Sequence, residues 1–185
     1  MHTRVLTRQL TTPLGPMLAG VTDPSPSLCL LEFTDRPRLS KELDDLARAV
    51  GPDEAVGDFE TRTPATDLLD ELEAQLADYF NHDRTAFDLP LTTPGTDFQQ
   101  AVWNHLQTIP HGTTTTYGSI AETLDRPGAQ RAVGAANGAN RISIVIPCHR
   151  VIDANGNLHG YGGGLDRKRQ LIELEQATLF SRATP

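Results

Sequence analysis

Cys148, His149 and Arg150 follow one another directly in the stretch Ile142, Ser143, Ile144, Val145, Ile146, Pro147, Cys148, His149, Arg150, Val151, Ile152. A thiol is a nucleophile only as its thiolate, and adjacent cationic groups favour that form. A lone cysteine reads first as a core residue, since free cysteine is among the most buried residue types. His149 and Arg150 shift the balance for Cys148. The apolar, β-branched run over 142–146 predicts a buried strand. Pro147 cannot donate to a ladder, so it ends or bends that strand. Cys148 and His149 are then expected at a strand end, where a side chain can be presented to a pocket.

Other chemistry is sparse. Cys29 is the only other cysteine; it alternates with apolar neighbours and reads as core. No Cys-x-x-Cys or His-x-x-x-His spacing appears, so a structural zinc site is not expected; no cofactor is expected either. The glycine-rich stretch of Leu158, His159, Gly160, Tyr161, Gly162, Gly163 and Gly164 lacks the Gly-x-x-x-x-Gly-Lys phosphate-loop pattern, which sets nucleoside triphosphates aside. Its glycines could let backbone amides approach a planar ligand.

The 185 residues suit one large domain or two small ones, and 38% hydrophobic with 22% charged residues is ordinary for a soluble globular protein. No apolar run approaches the roughly 18 residues of a membrane span. No basic segment leads into an apolar one at the start, so no secretory signal is expected, and a cytoplasmic location is the simpler expectation. The net charge of −8 argues against a generally basic nucleic-acid coat. Yet 17 of the 24 acidic residues precede Leu91, while the 16 basic residues split evenly, so the first half carries −9 and the second +1. A local DNA-binding face in the second half stays open.

Strands are predicted over 5–10, 17–21 and 27–33, with proline- and glycine-bearing turns between them. Helices are predicted over 41–50 with Ser40 as cap, and over 67–80 with Thr66 as cap. The proline-bearing segment 88–95 is the candidate linker. Beyond it, Thr96 or Asp97 caps a helix through Thr108 with Phe98, Val102, Trp103, Leu106 and Ile109 inward. Residues 113–116 read as loop or short strand. Helices over 119–124 and 129–137, joined by Asp125, Arg126, Pro127 and Gly128, form a helix-turn-helix candidate. The second helix carries Ala129, Ala132, Gly134, Ala135, Ala136 and Gly138, with Arg131 its one long cation. One face must pack on the core. The other is bare enough to enter a nucleic-acid groove, but it lacks the side chains that read several bases. A last helix is expected over 165–177, followed by a frayed tail over 180–185.

Ile146, Pro147, Cys148, His149, Arg150 and Val151 resemble the active-site signature of the O6-alkylguanine-DNA alkyltransferases, the methylated-DNA–protein-cysteine methyltransferases. The resemblance extends to Phe98, Gln99, Val102 and Trp103; to Ile109, Pro110, Gly112, Thr114 and Tyr117; to Arg131, Ala132, Val133, Gly134 and Asn140; and to Gly160, Tyr161, Gly163, Gly164 and Leu165. It implies an α+β protein. A small ribonuclease H-like α/β domain over 1–90 precedes a mostly helical, winged helix-turn-helix-like alkyltransferase domain over 91–185. It implies direct-reversal DNA repair, in which Cys148 takes the alkyl group from guanine O6 and keeps it as a thioether, with O4-methylthymine an open second substrate. Each molecule acts once.

Carried over position by position, His149 acts through a water as the base and Glu175 orients it. Asn140 is the hinge asparagine, and Tyr117 contacts the flipped nucleotide and protonates the leaving guanine. Arg131 fills the gap in the base stack. Arg126, Ala129 and Gly134 belong to the DNA-facing surface with Arg131 and Tyr117. Val151, Tyr161, Gly162 and Gly163 line the nucleobase pocket. Several family members have serine where Gly162 stands, so only a backbone contact is expected there. The partner implied is duplex DNA carrying O6-alkylguanine, bound by a monomer through the minor groove. Competing readings are a non-repairing sensor of alkylated DNA, which would lack the cysteine, a cysteine hydrolase built on Cys148, His149 and Glu175, and a plain helix-turn-helix regulator.

Overall fold

Three apolar segments near the start of the chain pair into an antiparallel meander. β1 (Arg4–Thr12) pairs with β2 (Gly15–Asp23), and β2 with β3 (Leu28–Phe33). Each is longer than its predicted counterpart at one end or both, except β3, because hairpin pairing carries the ladder past the apolar core residues to Thr12 and Gly15. In this computed structural model the described residues are 3–51, 53–55 and 62–183. A short β4 (Asp53–Ala55), with no apolar alternation to announce it, joins β1 in parallel and completes the order β3-β2-β1-β4.

α1 (Leu39–Ala49) lays Leu39, Leu43 and Leu46 with Val50 against Val5, Cys29 and Leu30. It begins a residue before the expected Ser40 cap, from Arg38 and without a side-chain cap. α2 (Pro64–Phe80) also starts early. Thr63 is its cap and Thr66 sits at the third helical position, the two threonines closing a reciprocal capping box ahead of Pro64. Leu69, Leu72, Leu76 and Tyr79 on α2 are buried. All six β3 residues are buried, which for Glu32 requires a partner. Arg36 pairs with Glu32 and, at 2.7 Å, with Glu42 on α1.

The chain divides into two compact units, Met1–Pro94 and Gly95–Pro185. The division lies beyond the expected 90/91 step because the candidate linker pairs onto the first unit. Leu28 N–H donates to Pro90 O at 2.7 Å and Thr92 N–H to Leu28 O at 2.9 Å. Gln75 on α2 grips both the N–H and the carbonyl of Asp88.

The second unit is mostly helical. α3 (Asp97–Thr108) starts from Thr96, whose capping box with Gln99 matches the expected cap. β5 (Thr115–Thr116) pairs in parallel with β6 (Val151–Ile152). α4 (Tyr117–Thr123), capped by Thr116, and α5 (Gln130–Gly138) form the expected helix pair. The turn between them places Asp125 and Gly128 at positive φ. α3 and α4 pack on α5, and Trp103 Nε1 donates to Ala136 O at 2.9 Å. α6 (Leu165–Ala183) runs past the expected stop at 177 and through most of the supposed tail; Thr184 and Pro185 lie outside the described residues. No described helix is long and apolar enough to cross a membrane.

Candidate active site

Asn140, just after α5, builds the platform. Its Oδ1 accepts from Ile142 N–H at 3.0 Å, and its Nδ2 donates to Ile142 O at 3.4 Å and Ile146 O at 3.0 Å. Residues 142–146 are not a strand. They fold on themselves, with Val145 N–H donating to Ser143 O at 2.9 Å and Ile146 N–H to Ile142 O at 3.0 Å. Ile144 takes φ 73°, where a β-branched residue is a genuine outlier. β-propensity loses here because the run is buried and its backbone polar groups need internal partners. Asn140 supplies them locally.

Pro147 turns the chain into a single 3-10 turn, Cys148–Arg150, closed by Arg150 N–H donating to Pro147 O at 3.0 Å. Cys148 is 5% exposed and Cys148 N–H donates to Ile146 O at 2.8 Å. So the nucleophile candidate stands on a tight turn behind a folded apolar loop, not at a strand end.

Glu175, on the buried face of α6, is the hub. It accepts from His149 Nε2 at 2.9 Å, from Arg150 Nε at 2.9 Å and Nη2 at 2.8 Å, and from Gly112 N–H at 3.0 Å. Burial alone would raise its pKa. The hydrogen bonds from His149 and Arg150, with the charge of the Arg150 guanidinium, outweigh that and hold the carboxyl well below the usual carboxylate range. Arg150 also donates to Ile109 O at 2.6 Å. Burial pushes the pKa of His149 down, and Arg150 and Lys168 add to this against the opposing pull of Glu175. The imidazole is therefore neutral. With Nε2–H committed to the ionised Glu175, Nδ1 carries the lone pair, and it is buried with no protein donor. A base oriented by a carboxylate thus follows the cysteine in the chain.

This corrects the reading of His149 and Arg150 as the cations that favour a thiolate. His149 is held neutral, and Arg150 is spent on Glu175 and Ile109. The cation that senses Cys148 is Lys168 on α6, fully buried, with Nζ donating to Val151 O at 2.6 Å and His159 O at 2.5 Å. Burial pulls its ammonium down to about 8, while negative charge on Cys148 opposes that shift. Sequence reading missed Lys168. The signal was present in its place on one helical stripe with Leu171, Glu175 and Thr178, all of them buried.

Tyr117 opens α4 and donates from Oη to His159 O at 3.2 Å. Burial, then the negative charges of Cys148 and Asp153, raise its phenol pKa. Val151 is buried on β6, with its carbonyl on Lys168. In the glycine-rich loop Tyr161 and Gly162 are half-buried and Gly163 is buried, its carbonyl accepting from Arg167 at 3.0 Å. Residues 148, 149, 175, 140, 151 and 117 are thus tied to one another or to shared partners. The surface candidates stand apart. Arg131 is exposed on α5, Arg126 is exposed in the turn before it, and Ala129 is the half-buried N-cap position. Gly134 faces the Tyr117 ring, which a Cβ there would meet at 3.8 Å. Gln130, Arg131, Ala132, Ala135 and Gly138 make the exposed face of α5, short apart from Gln130 and Arg131.

Residues 97–177 match the family model described as 6-O-methylguanine DNA methyltransferase, DNA binding domain. The methylated-DNA–protein-cysteine methyltransferase of Mycobacterium tuberculosis is 44% identical over 171 residues, 92% of each chain. That of Shigella flexneri is 43% identical over 174 residues, 93% of this chain and 96% of the relative. The crystal structure of Mycobacterium tuberculosis OGT in complex with DNA superposes with a TM-score of 0.71 at 39% identity, covering 96% of this chain and 94% of that one. With the cysteine, histidine and glutamate in place and similarity running through both units, the chain belongs to the methylated-DNA–protein-cysteine methyltransferase family.

Proposed function

We propose that this protein repairs DNA by direct reversal, moving the alkyl group of O6-alkylguanine onto its own Cys148. The observation that carries the reading is the buried chain of Cys148, neutral His149 and ionised Glu175, with Lys168 as the nearby cation. His149 removes the thiol proton through a water. The thiolate attacks the alkyl carbon, the carbon–sulfur bond forms as the carbon–O6 bond breaks, and Tyr117 protonates the departing guanine. A thioether has no easy hydrolytic exit, so each molecule acts once.

The short side chains of the exposed α5 face suit entry into the minor groove of duplex DNA, with Arg131 filling the stack behind an extruded base and Arg126, Ala129 and Gly134 alongside it. Extrusion costs a few kcal/mol, less for a poorly paired lesion. Asn140 is the hinge between α5 and the nucleophile's turn. Val151, Tyr161, Gly162 and Gly163 form the wall and lid of the nucleobase pocket. O4-methylthymine is a candidate second substrate. The two units correspond to a ribonuclease H-like domain and a winged helix-turn-helix-like domain, close to the 1–90 and 91–185 division. The protein works as a monomer in the cytoplasm, where thiols stay reduced.

Incubation with duplex carrying O6-methylguanine should add one methyl group, found on the Cys148 peptide by mass spectrometry, and none with lesion-free duplex. A methyl group elsewhere, or none despite bound DNA, refutes the proposal. Cys148→Ala should abolish transfer and leave binding largely intact, whereas Arg131→Ala should mainly weaken duplex binding.

A further inference from the structure

Asn137 sits on the last turn of α5 and is 4% exposed. Its Nδ2 donates to Cys148 O at 3.3 Å, which fixes the amide orientation, since the reverse would set two oxygens against each other. Its Oδ1 then points away from that carbonyl, buried and with no protein donor. His149 Nδ1 is in the same state, on the residue that follows Cys148. A buried polar atom left without a partner is costly, so such atoms are rare and call for an explanation. Both of these are acceptors, and both belong to residues bonded to or next to the same cysteine. The Cys148 thiol is a single weak donor and cannot serve both. A buried water offers two donors and accepts a third bond.

We propose that Asn137 is a positioning residue for the nucleophile: its Oδ1 and His149 Nδ1 together hold one water beside Cys148 Sγ, and that water carries the thiol proton to His149. The water accepts the proton from sulfur as its own O–H proton passes to Nδ1. The S–H bond breaks, an N–H bond forms, and the water is regenerated beside a thiolate and an imidazolium. Asn137 Oδ1 accepts from the water throughout, which keeps the remaining lone pairs aimed at the sulfur. The charged and titratable groups bearing on His149 are Glu175 and Lys168 from α6 and Arg150 from its own turn; Lys168 and Tyr117 bear on Cys148. Asn137 adds no charge to this set. It acts by holding the water.

The alkyl-transfer role depends on the function proposed above, but the relay can be tested without DNA. Iodoacetamide labelling of Cys148 is followed against pH in the full chain by peptide mass spectrometry. Cys29 stays silent in this range, because burial pushes its thiol up to about 12. Asn137→Leu keeps the volume and removes the acceptor; its labelling midpoint should rise by about one pH unit, roughly a tenfold slower reaction at neutral pH. Asn137→Ser, with a short hydroxyl, should fall between. A high-resolution crystal structure should show a water within hydrogen-bond reach of both Asn137 Oδ1 and His149 Nδ1.

Matching pH curves for the wild type and Asn137→Leu overturn the proposal, as does a structure in which protein donors satisfy both acceptors. If Asn137→Leu does not fold, Asn137→Ser and the crystal structure decide. Wild-type protein that shows the relay yet leaves the methyl group on lesion-bearing DNA would refute the repair function and leave the role of Asn137 standing.

Discussion

Replacing Asn140 tests whether the nucleophile's position rests on one side chain. Asn140 is 2% exposed and makes three hydrogen bonds to the backbone of the 142–146 turn. Each such bond contributes about 0.5–1.5 kcal/mol net, and a group orphaned in the interior costs about 1–3 kcal/mol. The turn also carries Ile144 in the left-handed region, a cost of about 1–3 kcal/mol that persists only where the surroundings over-determine it. Asn140→Ala removes all three bonds and strands Ile142 N–H, so a loss of about 3–5 kcal/mol is expected. Asn140→Asp is isosteric and keeps the bond from Ile142 N–H, but it sets a carboxylate oxygen against two carbonyls. It should cost about as much as alanine, despite losing no volume. The assay is urea denaturation followed at Trp103, which lies in the same unit, with alkyl transfer measured in parallel. Transfer should fall by more than the unfolded fraction explains, because the turn aims Cys148. If Asn140→Asp loses under about 1 kcal/mol, or transfers normally, the turn is held by something other than Asn140.

Lys168→Met keeps the stem and removes the charge; the pH at which Cys148 becomes reactive should rise by about 1–3 units, the usual effect of an opposite charge nearby, and an unchanged labelling curve would show that Lys168 does not act on the thiol. Acid should destabilise the second unit in two stages. The depressed His149 favours unfolding as pH falls below the ordinary histidine value near 6.5, and the depressed Glu175 does so below the ordinary carboxylate value near 4.3; Glu175→Gln should flatten the second stage in a pH series of denaturation curves. In the first unit, Arg36→Met leaves Glu32 and Glu42 buried without their shared cation and should cost about 3–5 kcal/mol, with part of that loss recovered when both glutamates are also changed to glutamine.

α3 was legible because its cap and its apolar spacing agree: the box of Thr96 with Gln99 sets its boundary. α2 was misread by three residues because Thr63 and Thr66 are both good caps and only Pro64 at the first helical position separates them. The turn at 142–146 was illegible for a deeper reason. Its residues favour strands, and the competing term is a hydrogen-bonding side chain just outside the run. The candidate site was readable where chemistry is local, at Cys148 and His149. Glu175 came only through resemblance, because it lies 26 residues beyond its histidine. Lys168 and Asn137 escaped notice because neither residue type signals burial; their meaning arises only once α5 and α6 pack around the turn. The electrostatic assignment of Arg150 failed for the same reason, since adjacency in the chain does not say which way a guanidinium points.

The carbonyl of His159 receives two donors, Tyr117 Oη and Lys168 Nζ. A hydroxyl that must let go of one acceptor to serve another normally leaves an orphan behind. Here Lys168 holds the same carbonyl, so a Tyr117 hydroxyl that left it for another acceptor would orphan nothing and the loop would keep its tether. The shared acceptor makes the loop's fastening independent of the Tyr117 hydroxyl.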